Sequence, residues 1–446
     1  MWRAIKEVLP SKKGSAIFSV FEKGRLHTDK QSVAKIMNDY FVSIGKTLSK
    51  AFGRNAPVTP VINSLSTNFH LNNVSVEFVK DTLRSLKRNK AVGLDKLSAR
   101  LLRDASDVIS PVLTELVNKS FTDGVFPKIW KSAKVSALFK GGDKSQKDNY
   151  RPISILPTVS KIIEKATHVQ LCSYLEENKL LSHSQFGFRH GRSTSTALSD
   201  FTDQILENMD GGKVTGAVFL DLRKAFDTVD HTTTVGVSGK SLAWFNSYLS
   251  GRSQQTMCGD ATSSAANITL GVPQGSILGP LLFLVYINGV QSVLKHSKMT
   301  IFADDLAFYC PESSAADLQS KLNLDLKAIS VWLRDNKLTL NVEKSKFMII
   351  DLSSRRKLQR CVFMFDLIHD SERNNVIVRG TDIHNYNTRM KDTIRKERVA
   401  TKWGEMDSIN SALNDWNILP VDLRSIRTRR SFKTAVLNEL KTKSYA

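Results

Sequence analysis

Two adjacent carboxylates, Asp304 and Asp305, interrupt the strand-like apolar run "TIFADDLAFY" at residues 300–309. An unpartnered carboxylate taken out of water costs several kcal/mol. Charges where the pattern points inward therefore imply either an exposed turn or a missing cation. A third carboxylate, Asp221, closes the apolar run of "AVFLDLRKAFDTVDH", where a central strand would release it at its carboxyl end. Singly, a DD pair also describes a hairpin tip, and a lone Asp after a strand also describes a helix cap. Together, the three converge on one spot only if cations stand between them. Ligands made of oxygen alone select Mg²⁺ or Mn²⁺. Two such ions, about 3.5–4 Å apart, stabilise the attacking and leaving oxygens of a phosphoryl transfer.

The elements that must carry these groups are legible in outline. "TGAVFLDL" reads as a short buried strand, "MTIFADDLAFYC" as a hairpin and "KVSALFKGGDK" as a strand running into a glycine tip. "TLNVEKSKFMII" leads into a further strand, and "GPLLFLVYINGV" reads as a buried helix. Helical periods run through "SVAKIMNDYFVSIGKTLSKAF", "SVEFVKDTLRSLKRNKAVG", "SPVLTELVNKSFTDG", 159–178, 193–209 and "AADLQSKLNLDLKAISVWLRDNKL". Residues 1–70 read as polar and largely helical, with a linker at "NAPVTPVINSLS". The expected class is α+β, with helical ends around a mixed centre.

The totals narrow the partner. Lys and Arg number 64 against 43 Asp and Glu, a net charge of +21. That excess favours a polyanion, nucleic acid first and an anionic membrane surface second. The longest apolar run, "PLLFLVYI", is far shorter than the ~20 residues of a membrane span. The start, "MWRAIKEVLPSKKG", carries charges where a secretion signal needs apolar residues. No segment has the basic and aromatic faces of a membrane-surface helix. Cys172, Cys258, Cys310 and Cys361 form no CxxC pair and suit a reduced compartment. The expected setting is intracellular, in nucleus or cytoplasm, without secretion.

With these segments in view, the chain resembles the reverse transcriptases of non-LTR (LINE-type) retrotransposons. The resemblance rests on "FADD", "FLDLRKAFDTVDH", "GVPQGSILGPLLFLVYIN", "FPKIWKSAKVSALFKGGDKSQKDNYRPISILPTVSKIIEK" and "SQFGFRHGRSTSTAL", in family order from about Gly93 to Ile350. "IMNDYFVSIG" resembles the family's connector, and "KWGEMDSINSALNDWNILPVDLRSIRTRRSFK" its C-terminal segment. The resemblance implies a right-hand polymerase with palm and fingers, its thumb reduced or absent. It divides the chain into a helical connector (1–85), a fingers-like part (86–215), a palm (216–351) and a basic helical C-terminal segment (352–446).

Carried over position by position, Asp221, Asp304 and Asp305 become the catalytic carboxylates holding two Mg²⁺ (or Mn²⁺) ions. Leu222 lends its backbone carbonyl to a metal or braces the triphosphate. Phe226 becomes the aromatic wall that excludes a 2′-OH. Lys140 and Arg151 clamp the triphosphate, Gln274 makes polar contacts beside the nucleotide, and Lys344 serves as general acid for pyrophosphate. Arg189, His190 and Arg192 face the template. The implied partners are an RNA template, a DNA primer and dNTPs, with no membrane.

Two departures from the family pattern are expected to matter. Only "TTTV" stands between "DTVDH" and "GVSGKSLAWFNSYL", so about seven residues of a palm helix are lacking, roughly two turns. After "KSKFMII" the primer-grip hairpin and most of the thumb are lacking as well. The chain starts within the connector, so no nicking domain is expected. The competing reading is a catalytically impaired remnant that only binds nucleic acid.

Overall fold

The computed structural model describes residues 19–49, 69–229, 237–350, 361–362, 364, 412 and 415–443. The expected linker at 55–66, the shortened stretch at 230–236 and the segment where the thumb was expected lie outside the described residues, apart from its positions 361–362 and 364. The described chain enters with a hairpin, β1 (Val20–Glu22) and β2 (Arg25–His27), absent from the helical reading of residues 1–70. Its two-residue turn is Lys23–Gly24, both at positive φ (50° and 78°), the conformation that matches strand twist in tight hairpins. Helix α1 (Lys30–Ser49) follows, then α2 (Val76–Ser85) and α3 (Ser106–Asp123). Helix α2 starts at Ser75, whose hydroxyl accepts from Phe78 N–H at 3.2 Å. It stops at Ser85 rather than running on to Gly93, because Lys87, Arg88 and Lys90 offer no apolar stripe and repel one another at helical spacing.

Strands β3 (Ser132–Phe139) and β4 (Tyr150–Ile155) pair antiparallel, and β6 (Arg252–Cys258) joins β3 in parallel. The short strands β7 (Ala261–Thr262) and β8 (Ala266–Ile268) complete this five-stranded sheet on β6. A second sheet runs β11-β5-β10-β9, from β5 (Val214–Leu220), β9 (Lys298–Phe302), β10 (Asp305–Glu312) and β11 (Lys346–Ile350). The longer helices between them are α4 (Ser160–Glu177), α5 (Thr194–Asp210), α6 (Gly239–Leu249), α7 (Leu278–Ile287) and α8 (Ala315–Asp335). Helix α7 is apolar all round, and nearly all of it is buried, as a helix at the centre of a core must be. The mixed α+β class is as expected; strands β6–β8 were not.

Two compact units emerge. One draws on residues up to Phe201, Val218–Tyr309 and Lys321–Phe347. Its main core gathers Phe126, Trp244 and Tyr248 with Phe283, Phe308 and Leu333. A satellite core seats α1 on the first sheet through Val33, Met37, Phe41, Val135, Tyr150 and Cys258. The other unit takes Thr202–Ala217, Cys310–Ser320 and the residues after Phe347. Its core joins Cys361, Met364, Trp416, Phe432 and Val436, with α9 (Arg429–Lys443) supplying the last two.

Candidate active site

The three carboxylates arrive from two directions. Asp221 follows the last residue of β5, and β10 is the neighbouring strand. Asp305 pairs with Phe302, so Ala303 and Asp304 form the two-residue tip of the β9–β10 hairpin. Burial pushes the Asp304 carboxyl above its ordinary value; the Asp221 charge adds to the rise, and Arg151 and Lys140 oppose it. Asp305 is raised too, by burial first and then by Asp304 and Asp221. The three acids therefore sit within one another's field. Asp221 is held from the far side. Asn341 donates its side-chain amide to Asp221 Oδ2 at 2.7 Å, and the Asn341 backbone N–H donates to the Asp221 carbonyl at 2.8 Å. Among the described residues, no group of three or more acidic, histidine or cysteine side chains stands close enough to cage an ion unaided. Hard oxygen donors, two of them with proton affinity raised in part by acidic neighbours, nonetheless fit a Mg²⁺-type ion, which commonly takes only one or two carboxylates and completes its shell with phosphate and water.

A cationic group faces them. Lys140 and Arg151 stand at the ends of paired strands, Arg151 opposite Leu138. Burial first, and then the charges of Lys224, Arg151 and Lys344, lower the Lys140 ammonium to about 8. Four cations so close together repel one another and await an anion. Lys224, in the left-handed region at φ 49°, donates to the Tyr150 carbonyl at 2.9 Å. Beside it, Asp227 is raised to about 6, chiefly by burial. Its Oδ1 accepts from Gln274 Nε2 at 2.8 Å, and its Oδ2 is buried without a partner. Gly271 is required here, since a Cβ would stand 2.8 Å from the Asp227 backbone. Gly45 of α1 likewise leaves no room for a Cβ against the Asp227 carbonyl. Helix α1 thus helps to seat this segment.

Phe226 stacks on Phe283 with ring centroids 4.5 Å apart and meets the edge of Phe188 at 6.3 Å. The Leu222 side chain is buried in the main core, and its backbone bridges to Leu340. The three residues expected at the template separate. Arg189, 8% exposed, donates Nε to Glu176 at 2.8 Å, Nη2 to the same carboxylate and Nη1 to the Ser182 carbonyl at 2.7 Å. Its donors are committed inside the fold. Arg192 lies over the Phe186 ring at 4.9 Å and donates to the His183 and Gln185 carbonyls. His190 is exposed. Asn341, Lys224, Asp227 and Gln185 were not singled out from the sequence. All four lie inside segments quoted from the sequence, Lys224 and Asp227 in the one around Asp221, but nothing in residue type marked them there.

Comparison with known proteins bears on this arrangement. The family model described as reverse transcriptase (RNA-dependent DNA polymerase) matches residues 140–389. A probable RNA-directed DNA polymerase from transposon X-element of Drosophila melanogaster is 30% identical over 290 residues, 62% of this chain and 32% of that protein. The RNA-directed DNA polymerase from mobile element jockey of the same fly is 31% identical over 293 residues, 61% of this chain and 31% of that protein. A putative 115 kDa protein in type-1 retrotransposable element R1DM, also of that fly, is 26% identical over 278 residues, covering 61% and 27%. The chain spans about a third of the length of the curated relatives it matches.

Proposed function

This chain belongs to the reverse transcriptase family, in its non-LTR (LINE-type) branch, and from that premise we propose that it carries the catalytic portion of an RNA-directed DNA polymerase. In this reading residues 86–215 serve as fingers and 216–351 as palm. The substrates are dNTPs, added to a DNA primer along an RNA template. The observation that carries the reading is the pairing of two sets of charges. Asp221, Asp304 and Asp305 share one field, and Lys140, Arg151, Lys224 and Lys344 share the one facing it. An anionic triphosphate is the ligand such a cation group lacks.

The reaction is attack of the primer 3′-hydroxyl on the α-phosphate, with pyrophosphate leaving. Lys140, Arg151 and Lys224 hold the triphosphate, and Lys344 gives a proton to the departing pyrophosphate. Phe226 stands against the sugar and excludes a 2′-hydroxyl. Asp221 and Asp304 are the residues that would hold divalent ions, with Asp305 adjacent. Such ions, when bound, neutralise charge building on the attacking and leaving oxygens. Arg192 and His190 remain the candidates for template contact. Among the described residues no helix is long and apolar enough to cross a membrane.

Primer extension on a poly(rA)/oligo(dT) duplex with Mg²⁺ or Mn²⁺ tests the reading. Incorporation of dTTP that Asp304→Ala abolishes supports it. Binding of the duplex without incorporation overturns it.

A further inference from the structure

The stretch "QFGF" at 185–188 takes no direct part in the chemistry proposed above, yet backbone and side-chain hydrogen bonds tie it to the acidic hairpin. Residues 184–186 run parallel along the outer edge of β9. Ile301 N–H donates to the Ser184 carbonyl at 2.8 Å, and Phe186 N–H donates to the Ile301 carbonyl at 2.7 Å. Gln185, only 2% exposed, turns its side chain into the hairpin. Its Oε1 accepts two backbone N–H groups, Gly187 at 2.8 Å and Ala303 at 3.0 Å. A Cβ on Gly187 would overlap the Ala303 nitrogen, so only glycine permits the approach.

Ala303 is the residue immediately before Asp304. It sits at φ 58°, a left-handed conformation unfavourable to any residue with a Cβ. A strained tip of this kind persists only where its surroundings over-determine it. The Gln185 oxygen is such a constraint. The other half of the same amide, Nε2, is buried without a partner. A buried donor left unpaired is unfavourable. A methionine would fill the space without that penalty, but it would leave the Ala303 and Gly187 N–H groups unpaired. The acceptor oxygen is the feature that a glutamine supplies here.

We infer that Gln185 is a positioning residue for Asp304: its side-chain oxygen pins the turn whose next carboxylate receives the divalent ion. The inference rests on the polymerase reading, since Asp304 is a ligand only within it. Groups that orient a metal ligand change metal affinity by about 10–100-fold when removed.

The test is Mn²⁺ binding to the full chain, followed by electron paramagnetic resonance, with hydrogen exchange over the 301–305 segment as a second readout. The expected result has three parts. Asp304→Asn removes a site. Gln185→Met weakens that site about tenfold or more and speeds exchange at Ala303. Gln185→Glu, which keeps the acceptor, binds at least as tightly as the parent. If Gln185→Met does not fold, Gln185→Asn, which withdraws the oxygen by one methylene, takes its place. Parent-like Mn²⁺ affinity and exchange in the Met or Asn variant, while Asp304→Asn still abolishes binding, overturns the role of Gln185 and leaves the polymerase reading intact. A parent chain with no Mn²⁺ site sensitive to Asp304→Asn overturns both.

Discussion

Asn341 holds Asp221 twice, its side-chain amide donating to Oδ2 at 2.7 Å and its backbone N–H to the Asp221 carbonyl at 2.8 Å. The first contact spends one carboxylate oxygen and fixes the rotamer, leaving Oδ1 for whatever cation arrives. Lys344 sits on the same short turn, its N–H bonded to the Asn341 carbonyl at 3.2 Å. One loop thereby orients a carboxylate and carries the lysine proposed as proton donor.

Removing only the side-chain half of that grip should separate catalysis from folding. In Asn341→Ala the expected kcat for dNTP incorporation falls about 10–100-fold. The stability loss is about 1.5–3 kcal/mol, the range for a hydrogen bond to a charged group. The KM for dNTP should move little, because the triphosphate cations are untouched. Single-turnover primer extension at saturating dNTP is the measurement. An unchanged rate would show that Asp221 is oriented by something else.

Lys140 gives a pH signature. Its folded value, about 8, lies below the 10.5 of a free lysine. Above pH 8 the group loses its charge, so the KM for dNTP should rise with pH through this range. Lys140→Arg, whose charge persists, should flatten the dependence. The linkage runs the opposite way for stability. The unfolded chain binds the extra proton between about 8 and 10.5, so this group's contribution grows as pH rises across that window and is lost as pH falls through it. A KM profile identical in parent and Lys140→Arg chains would remove Lys140 from the triphosphate site.

What the sequence disclosed follows from contrast. Asp304, Asp305 and Asp221 stand out because charge breaks an apolar pattern, and the hairpin and strand around them are apolar enough to read. Lys224 does not stand out, being one basic residue among 64. Gln185 and Asn341 are neutral amides in loops, and their importance lies in which backbone they reach. Strand β6 was invisible for a related reason. Its inward face is Arg252, Gln254, Thr256 and Cys258, so alternation of apolar and polar residues finds nothing there. Gln254 and Thr256 can be buried because α1 brings Asn38, whose Oδ1 accepts from Gln254 at 3.2 Å and Thr256 at 3.0 Å. A polar core of this sort is legible only once both sides are in place.

Asp227 should behave as a buried charge that costs stability. Its folded value of about 6 exceeds the ordinary 3.8, so its favourable contribution is complete below about 3.8 and is lost as pH rises through 6. Asp227→Asn keeps an oxygen for Gln274 Nε2 and removes the charge. The variant should melt a few degrees higher than the parent at pH 7.5, with the gain shrinking as pH drops from 6 towards 4. Thermal denaturation at several pH values checks this. A gain that does not depend on pH would mean that the Asp227 charge is not its source.

Arg189 should prove structural. Breaking a buried ion pair typically costs about 3–5 kcal/mol. Glu176 keeps its side chain 36% exposed, which brings the expectation for Arg189→Ala nearer ~2–3 kcal/mol. Affinity for an RNA–DNA duplex, and its slope against salt, should match the parent at temperatures where both are folded. Each lost phosphate contact lowers that slope by about 0.9. A slope reduced by that amount in Arg189→Ala would return this side chain to the template.

Phe226 carries two roles that one substitution separates. Its ring stacks on Phe283 at 4.5 Å and also borders the position assigned to the incoming sugar. Phe226→Ala should cost about 3 kcal/mol, the low end for a core phenylalanine, because the ring is only partly buried. The same variant should incorporate ribonucleotides more readily, while Phe226→Leu, which refills much of the stack, should recover stability without recovering sugar selection. Competitive incorporation of rNTP against dNTP, measured on chains shown to be folded, distinguishes the roles. Loss of stability with sugar discrimination intact in both variants would reduce Phe226 to a packing residue.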